Sequence, residues 1–183
     1  MEYEVRIYGN PALREKSVPV ESVDDSIRRL VKDMLTTMYR SNGLGLAAEQ
    51  IGRREAICVI DVPAHRKDGD GMDVIENPEI PMPLALINPR ITAAEGTETV
   101  QEGCLSFPDV YVSIKRARRV TVEFTDPRGR QSSVTAVGLL ARAIQHEMDH
   151  LGGVLLVDRM SAPQKLAVAG KLRKLKRQGK AAA

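Results

Sequence analysis

Apolar residues recur at helical spacing over residues 24–40. Ile27, Leu30, Val31, Met34, Leu35 and Met38 fall on one face, with Arg28, Arg29, Lys32 and Asp33 between them. The spacing predicts an amphipathic helix, with Ser22 or Asp24 as N-cap and Ser41-Asn42-Gly43 as its stop. The period then changes. A continuous apolar run, Ala56-Ile57-Cys58-Val59-Ile60, predicts a strand within 55–62. Pro, Asp and Gly crowd residues 63–83, which read as an exposed loop. A second strand is expected over 84–88, ending at Asn88-Pro89. Alternating segments at 118–125 and 131–137 flank the turn sequence Asp126-Pro127-Arg128-Gly129 and predict a hairpin. Helical spacing returns over 138–151, ending near Gly152-Gly153, and a last helix is expected after Ser161 with Pro163 in its first turn. Strands in the middle and helices towards both ends predict an α+β fold rather than a wound parallel sheet.

Composition narrows this picture. A chain of 183 residues, 43% hydrophobic, can bury one good core, and with no Trp, four Tyr and two Phe that core must be aliphatic. No apolar run approaches the ~18 residues of a membrane span. The start, Met1-Glu2-Tyr3-Glu4-Val5-Arg6, has neither the basic segment nor the apolar run of a secretory signal. The expectation is a cytoplasmic protein, unless a targeting segment has been removed, as in the mature form of an organellar one. The net charge of +3 is unevenly spread: residues 161–183 hold seven Lys/Arg and no acid, so residues 1–160 carry a net −4. We therefore divide the chain into a single domain over 1–160 and a basic C-terminal helix or tail over 161–183. Such a tail suits a polyanion such as RNA, or is a solvated, frayed end; charge alone does not choose.

Chemistry is concentrated in Gln145-His146-Glu147-Met148-Asp149-His150. A helix turns 100° per residue, so His146 and His150 stand one turn apart on one face and can hold one divalent metal. Glu147, beside the first ligand, can take a proton from a water on that metal. The bland alternative is a charged helix face with two incidental histidines. Catalytic sites of this kind take a third protein ligand. His65 sits in the polar loop, and Asp158 is a carboxylate downstream of the helix. Cys104, in Glu102-Gly103-Cys104-Leu105-Ser106, is the better choice because Gly103 lets the backbone turn close to an ion. Cys58 reads as a small buried hydrophobe.

Three separated segments now fall into order: Gly43-Leu44-Gly45-Leu46-Ala47-Ala48-Glu49-Gln50, Glu102-Gly103-Cys104-Leu105-Ser106, and the His-Glu-x-x-His segment continuing to Leu151 and Gly153. Together they resemble the peptide deformylases, as does the opening Ile7-Tyr8-Gly9-Asn10-Pro11-Ala12-Leu13-Arg14, and the likeness spans roughly residues 4–160. The resemblance implies removal of the formyl group from N-terminal formylmethionine of nascent polypeptides, with release of formate. The fold it goes with is mixed and antiparallel strands packed around a central helix carrying the motif, with a C-terminal helix. It implies Cys104, His146 and His150 as metal ligands, with Fe(II) as the physiological ion and Zn, Ni or Co able to replace it. Glu147 becomes the general base, and the Gln50 amide and Leu105 N–H become donors to the oxyanion. Gly43, Leu44, Gly45 and Gly103 would lie along the peptide. Leu44, Val100, Leu139 and Ala143 would line the methionine pocket. Glu102 is expected to brace the Cys104 segment through an ion pair with Arg116.

Three residues depart from the family pattern. Glu49 stands where Pro, Thr or Ile is usual. Tyr111 stands where some members place an Arg facing the peptide. Arg142 stands where an apolar pocket residue is expected, with its stem along the pocket and its charge at the rim. The basic tail fits ribosome association; neither a membrane nor DNA is expected as a partner. Removal of residues after Ser161 is expected to weaken ribosome binding while small-peptide turnover survives. Two other readings compete: an ordinary zinc metalloprotease with the same helix motif, and a non-enzymatic RNA-binding protein with a structural metal.

Overall fold

The stripe on residues 24–40 becomes α1 (Asp25–Arg40), capped by the Asp24 side chain, which accepts from the Ile27 N–H at 3.0 Å. The computed structural model describes residues 2–67 and 71–182; Met1, Asp68, Gly69, Asp70 and Ala183 lie outside the described residues. After α1 come β1 (Gly45–Ala47), a 3-10 turn over Ala48–Ile51, and β2 (Ile57–Ile60). Two short strands follow, β3 (His65–Lys67) and β4 (Asp73–Ile75), and then the long β5 (Leu84–Glu95). The hairpin of β6 (Glu98–Glu102) and β7 (Val112–Arg116) precedes that of β8 (Arg119–Thr125) and β9 (Gln131–Val137). The chain ends with α2 (Gly138–Leu151), α3 (Leu156–Arg159), α4 (Ala162–Ala167) and α5 (Ala169–Ala181).

Five strands form one antiparallel sheet in the order β1-β2-β5-β8-β9. Alternation decides what covers each face. Ile57 and Val59 of β2, with Ala85 and Ile87 of β5, meet Ile27, Leu30, Val31, Met34 and Met38 of α1. Cys58, Ile60, Leu84 and Leu86 point to the opposite face, against Leu140, Ala141 and Ile144 of α2. The central strands are therefore buried on both sides, as their continuous apolar run requires. Each fully buried aliphatic side chain contributes about 1.5–3 kcal/mol. The fold is α+β, with the motif helix central and helices at the C-terminus.

Two expectations are corrected. The strand expected to stop at Asn88-Pro89 continues to Glu95. Asn88 takes φ +51°, and the register with β8 shifts between Ile87 and Arg90. That irregularity accommodates Pro89, which has no N–H for the ladder. The Asn88 side chain ties down Val20, accepting from its N–H at 2.8 Å and donating to its carbonyl at 2.7 Å. Residues 63–83 are not simply an exposed loop: they hold the β3–β4 hairpin and a buried anchor at Asn77 and Ile80.

A third cluster joins the β6–β7 hairpin to the C-terminal helices. Leu172 and Leu175 of α5 pack with Leu13, Phe107, Val112, Ile114, Leu155 and Leu156. The helix also presses on the N-terminal segment: a Cβ at Gly179 would come within 2.5 Å of the Ile7 and Tyr8 carbonyl oxygens. The basic end of the chain is thus a docked helix.

Candidate metal centre

α2 is fixed before it contributes any chemistry. Leu140, Ala141, Ile144 and Leu151 bury its inner face. Its first turn lacks a local cap and receives one from the 63–83 segment. Glu76 accepts from the Leu139 N–H at 3.0 Å, and Asn77 exchanges hydrogen bonds with both the N–H and the carbonyl of Val137. The Gln145 amide clamps the Ala117 backbone, donating to its carbonyl and accepting from its N–H, both at 2.9 Å. A rigid helix then presents His146 and His150 with ring centroids 5.2 Å apart.

Cys104 arrives from the β6–β7 connection. Its Sγ lies 3.3 Å from His150 Nε2, and the three potential ligand atoms of Cys104, His146 and His150 lie within 4.8 Å of one another. A tetrahedral ion with metal–sulfur and metal–nitrogen bonds near 2.3 and 2.05 Å separates sulfur from nitrogen by about 3.6 Å. The sulfur and two imidazoles therefore fit one divalent ion. His65, on β3, is exposed, and Asp158 is occupied by Arg14 and the Leu155 N–H.

A charged network holds these three side chains in place. Arg116 forks onto Glu102 at 2.9 and 3.0 Å and reaches Asp149 at 2.6 Å. Arg159 donates to Asp149 at 3.0 Å. Glu102 in turn accepts from His146 Nδ1 at 3.1 Å, which fixes the ring and leaves Nε2 for a metal. Burial raises the Glu102 carboxyl, but the hydrogen bonds from His146 and Arg116 overcome it and hold Glu102 down at about 2. Burial lowers His150, and His146 and Arg116 add to the effect, so it is neutral and suited to ligation.

Beside the ligands opens a cavity of about 730 Å³. Glu147 forms part of its wall and is 4% exposed. Burial pushes Glu147 up to about 7, against the pull of His146 and Arg116. A carboxyl poised there can both take and return a proton near neutral pH. Its Oε1 lies against Gly45, where a Cβ would come within 2.3 Å. Gln50, 1% exposed, accepts from the Ala47 N–H at 2.9 Å and donates to Ser106 Oγ at 3.1 Å, with its amide nitrogen 3.6 Å from Cys104 Sγ.

The cavity brings together most of the residues singled out in the sequence. Gly43, Leu44, Gly45, Gln50, Glu102, Gly103, Cys104, Leu105, Tyr111, Leu139, Ala143, His146 and Glu147 all line it. Val100 does not: it lies on β6, paired with Ile114. His150 sits behind the wall, 1% exposed. Leu44 and Tyr111 are exposed at the mouth, and the Tyr111 ring covers Gly103. Arg142 lines the cavity, but its side chain is only 13% exposed and its guanidinium is paired with Glu98 at 3.1 Å rather than left free at the rim. Asp149 and Gln145 were missed as supports, although both lie inside the motif segment. Glu76 and Asn77 gave no signal in the sequence, because they act on α2 from about 60 residues away.

Comparison with known proteins gives one result throughout. The family model described as polypeptide deformylase matches residues 2–166. The peptide deformylase of Methylacidiphilum infernorum is 44% identical over 176 residues, covering 93% of this chain and 91% of that one. The crystal structure of a peptide deformylase from Synechococcus elongatus in complex with actinonin superposes with a TM-score of 0.80 at 40% identity, over 92% of this chain and 87% of that one. The crystal structure from Ehrlichia chaffeensis gives a TM-score of 0.84 at 34% identity, over 97% and 98%.

Proposed function

The chain belongs to the polypeptide deformylase family and is a hydrolase that removes the N-formyl group from N-terminal formylmethionine; on that premise we propose the residues that hold its metal, carry the reaction and set its partners. Membership removes the footing of the ordinary metalloprotease and the non-enzymatic readings.

Cys104, His146 and His150 hold one divalent ion, Fe(II) in the cell, with Zn, Ni or Co as substitutes. When bound, the ion supplies a Lewis acid and an activated water. Glu147 accepts the proton of the attacking water and returns it to the departing amine. The Gln50 amide and the Leu105 N–H face the formyl oxygen as its charge develops; one such donor lowers the barrier by about 3–4 kcal/mol. The peptide runs beside Gly43, Gly45 and Gly103 towards Tyr111, with the methionine side chain against Leu44, Leu139 and Ala143. The observation that carries this reading is the meeting of Cys104 with both imidazoles beside Glu147 at the cavity wall. Formate release from a formyl-Met tripeptide, run beside cleavage of an internal peptide bond, tests it. Cleavage without formate release would overturn it. Metal analysis of anaerobically purified protein tests the choice of ion, since Cys104 in an Fe(II) site is open to oxidation.

Residues 1–160 form the catalytic unit in this reading, and 161–183 a basic C-terminal segment that docks the enzyme on the ribosome. The outward face of α5 supports the second part: Lys171, Arg173, Lys174, Lys176, Arg177 and Lys180 are all exposed. Because Leu172 and Leu175 are buried, truncation after Ser161 would open the core, so charge reversal on the outer face is the cleaner test. No described helix is long and apolar enough to cross a membrane. We place the enzyme in the cytoplasm or an organelle, where nascent chains are made.

A further inference from the structure

Glu49 is 0% exposed, and no other described residue hydrogen-bonds either of its carboxylate oxygens. It sits on the 3-10 turn Ala48–Ile51, immediately before Gln50. The turn does not need the acid. Its capping acceptor is Gln50, bound to the Ala47 N–H, and its carbonyls are taken by Gly52, Arg53 and Arg6. The groups acting on Glu49 are its own backbone N–H, which lowers the carboxyl, and, from neighbouring segments, Glu147 on α2 and Glu55, bridged to Val18 before β2, which raise it. Glu49 and Glu147 both act in turn on the buried thiol of Cys58 on β2. The Glu55 carboxylate is itself engaged by Arg53. Every one of these groups is acidic or neutral. An ionised Glu49 would be a buried charge without a counter-ion, which costs several kcal/mol.

Resting on the deformylase reading, we propose that Glu49 is a positioning residue for deformylation, held as a neutral carboxylic acid behind Glu147 and Gln50. Deformylation builds negative charge on the formyl oxygen, which the amide of Gln50 faces. A neutral acid behind that donor leaves the local potential intact. An ionised one sets a second negative charge beside Glu147 and opposes the charge that develops. Loss of the Glu49 proton therefore turns the reaction down. Burial, with repulsion from Glu147 and Glu55, pushes the carboxyl from 4.5 up to about 8 against the pull of its own backbone N–H, so the loss begins just above neutral pH.

The test is the pH profile of the holoenzyme with a formyl-Met tripeptide, for wild type, Glu49→Gln and Glu49→Leu. Wild-type kcat/KM should fall about tenfold per pH unit above the Glu49 transition. The fall should be absent over the same range in Glu49→Gln, which keeps size and hydrogen bonding without a titrating group. Glu49→Leu, equally uncharged, should lack it too. Thermal unfolding of the same proteins reads the proton independently of activity. A raised carboxyl makes wild-type stability fall as pH rises from 4.5 to about 8 and level off above it. Glu49→Gln should flatten that slope. An alkaline fall with the wild-type midpoint in Glu49→Gln, or an unchanged stability slope, overturns the proposal. A wild-type holoenzyme that releases no formate at any pH overturns the deformylase reading first, a failure read without either variant.

Discussion

Gly45→Ala should cripple the enzyme while leaving its fold in place. Gly45 lies on β1 with its Cα against the Glu147 carboxylate. A Cβ there would meet Oε1 at 2.3 Å, Cδ at 2.8 Å and Cγ at 3.0 Å, where ordinary contact begins at 3.4 Å. Its backbone is in a region any residue adopts, so alanine adds a methyl group and no backbone strain. The carboxylate must then move by about 1 Å, and a displacement of that size at a reacting group costs about 100-fold in rate, or about 2.7 kcal/mol of barrier. The assay is kcat and KM for formate release, with metal content and Tm measured on the same protein. A drop confined to kcat, with metal retained, fits a displaced base. Activity within threefold of wild type would show that Glu147 either relocates freely or does not act from this position.

Three further outcomes are expected. Arg116→Met leaves Glu102 and Asp149 buried without their shared cation, and should destabilise the protein by about 3–5 kcal/mol in denaturant unfolding. Because Glu102 is held at about 2 against an ordinary 4.5, its contribution is present above pH 4.5 and lost as pH falls towards 2; this acid limb should shrink in the same variant, and an intact limb contradicts the network. Glu147→Gln should retain metal and lose about 10²–10⁴-fold in kcat, and near-normal turnover sinks the general-base assignment. Lys174→Glu with Arg177→Glu should weaken salt-sensitive co-sedimentation with ribosomes without changing tripeptide turnover; equal binding refutes the docking role of α5.

What the sequence disclosed follows the range of the forces involved. α1, the β8–β9 hairpin and α2 were legible because periodicity, turn residues and caps are local. The ligand helix spans the expected 138–151, since its stop at Gly152 is written next to it. The β6–β7 hairpin was not anticipated: its alternation is short, and its partner strands are separated by the Cys104 connection. The continuation of β5 past Pro89 was hidden for a similar reason, because the side-chain bonds that stabilise the irregularity at Asn88 go to Val20, far away in the chain. At the site, the two histidines and Glu147 stood out by residue type and spacing, and their convergence with Cys104 was expected from the family resemblance. Glu49 registered only as a departure from a pattern. That it is buried among acids depends on how β1, β2 and α2 converge, which no local rule contains.

That convergence also determines how the metal should act on the fold. Cys104 belongs to the cluster built on the C-terminal helices, the two histidines to α2 on one face of the sheet, and Leu46 and Leu105 to the cluster on the other face. An ion held by Cys104, His146 and His150 therefore ties separately packed clusters together. Binding to the folded state alone stabilises it by RT ln(1 + [L]/Kd), about 2.7 kcal/mol at a hundredfold excess over Kd. Chelation of the purified enzyme should lower Tm, added divalent metal should restore it, and protease should cut the 103–111 connection faster in the stripped protein. Cys104→Ser should abolish the metal-dependent part of the Tm while leaving the stripped Tm nearly unchanged. A Tm indifferent to metal in the wild type would mean that the three side chains meet without joining the clusters that carry them.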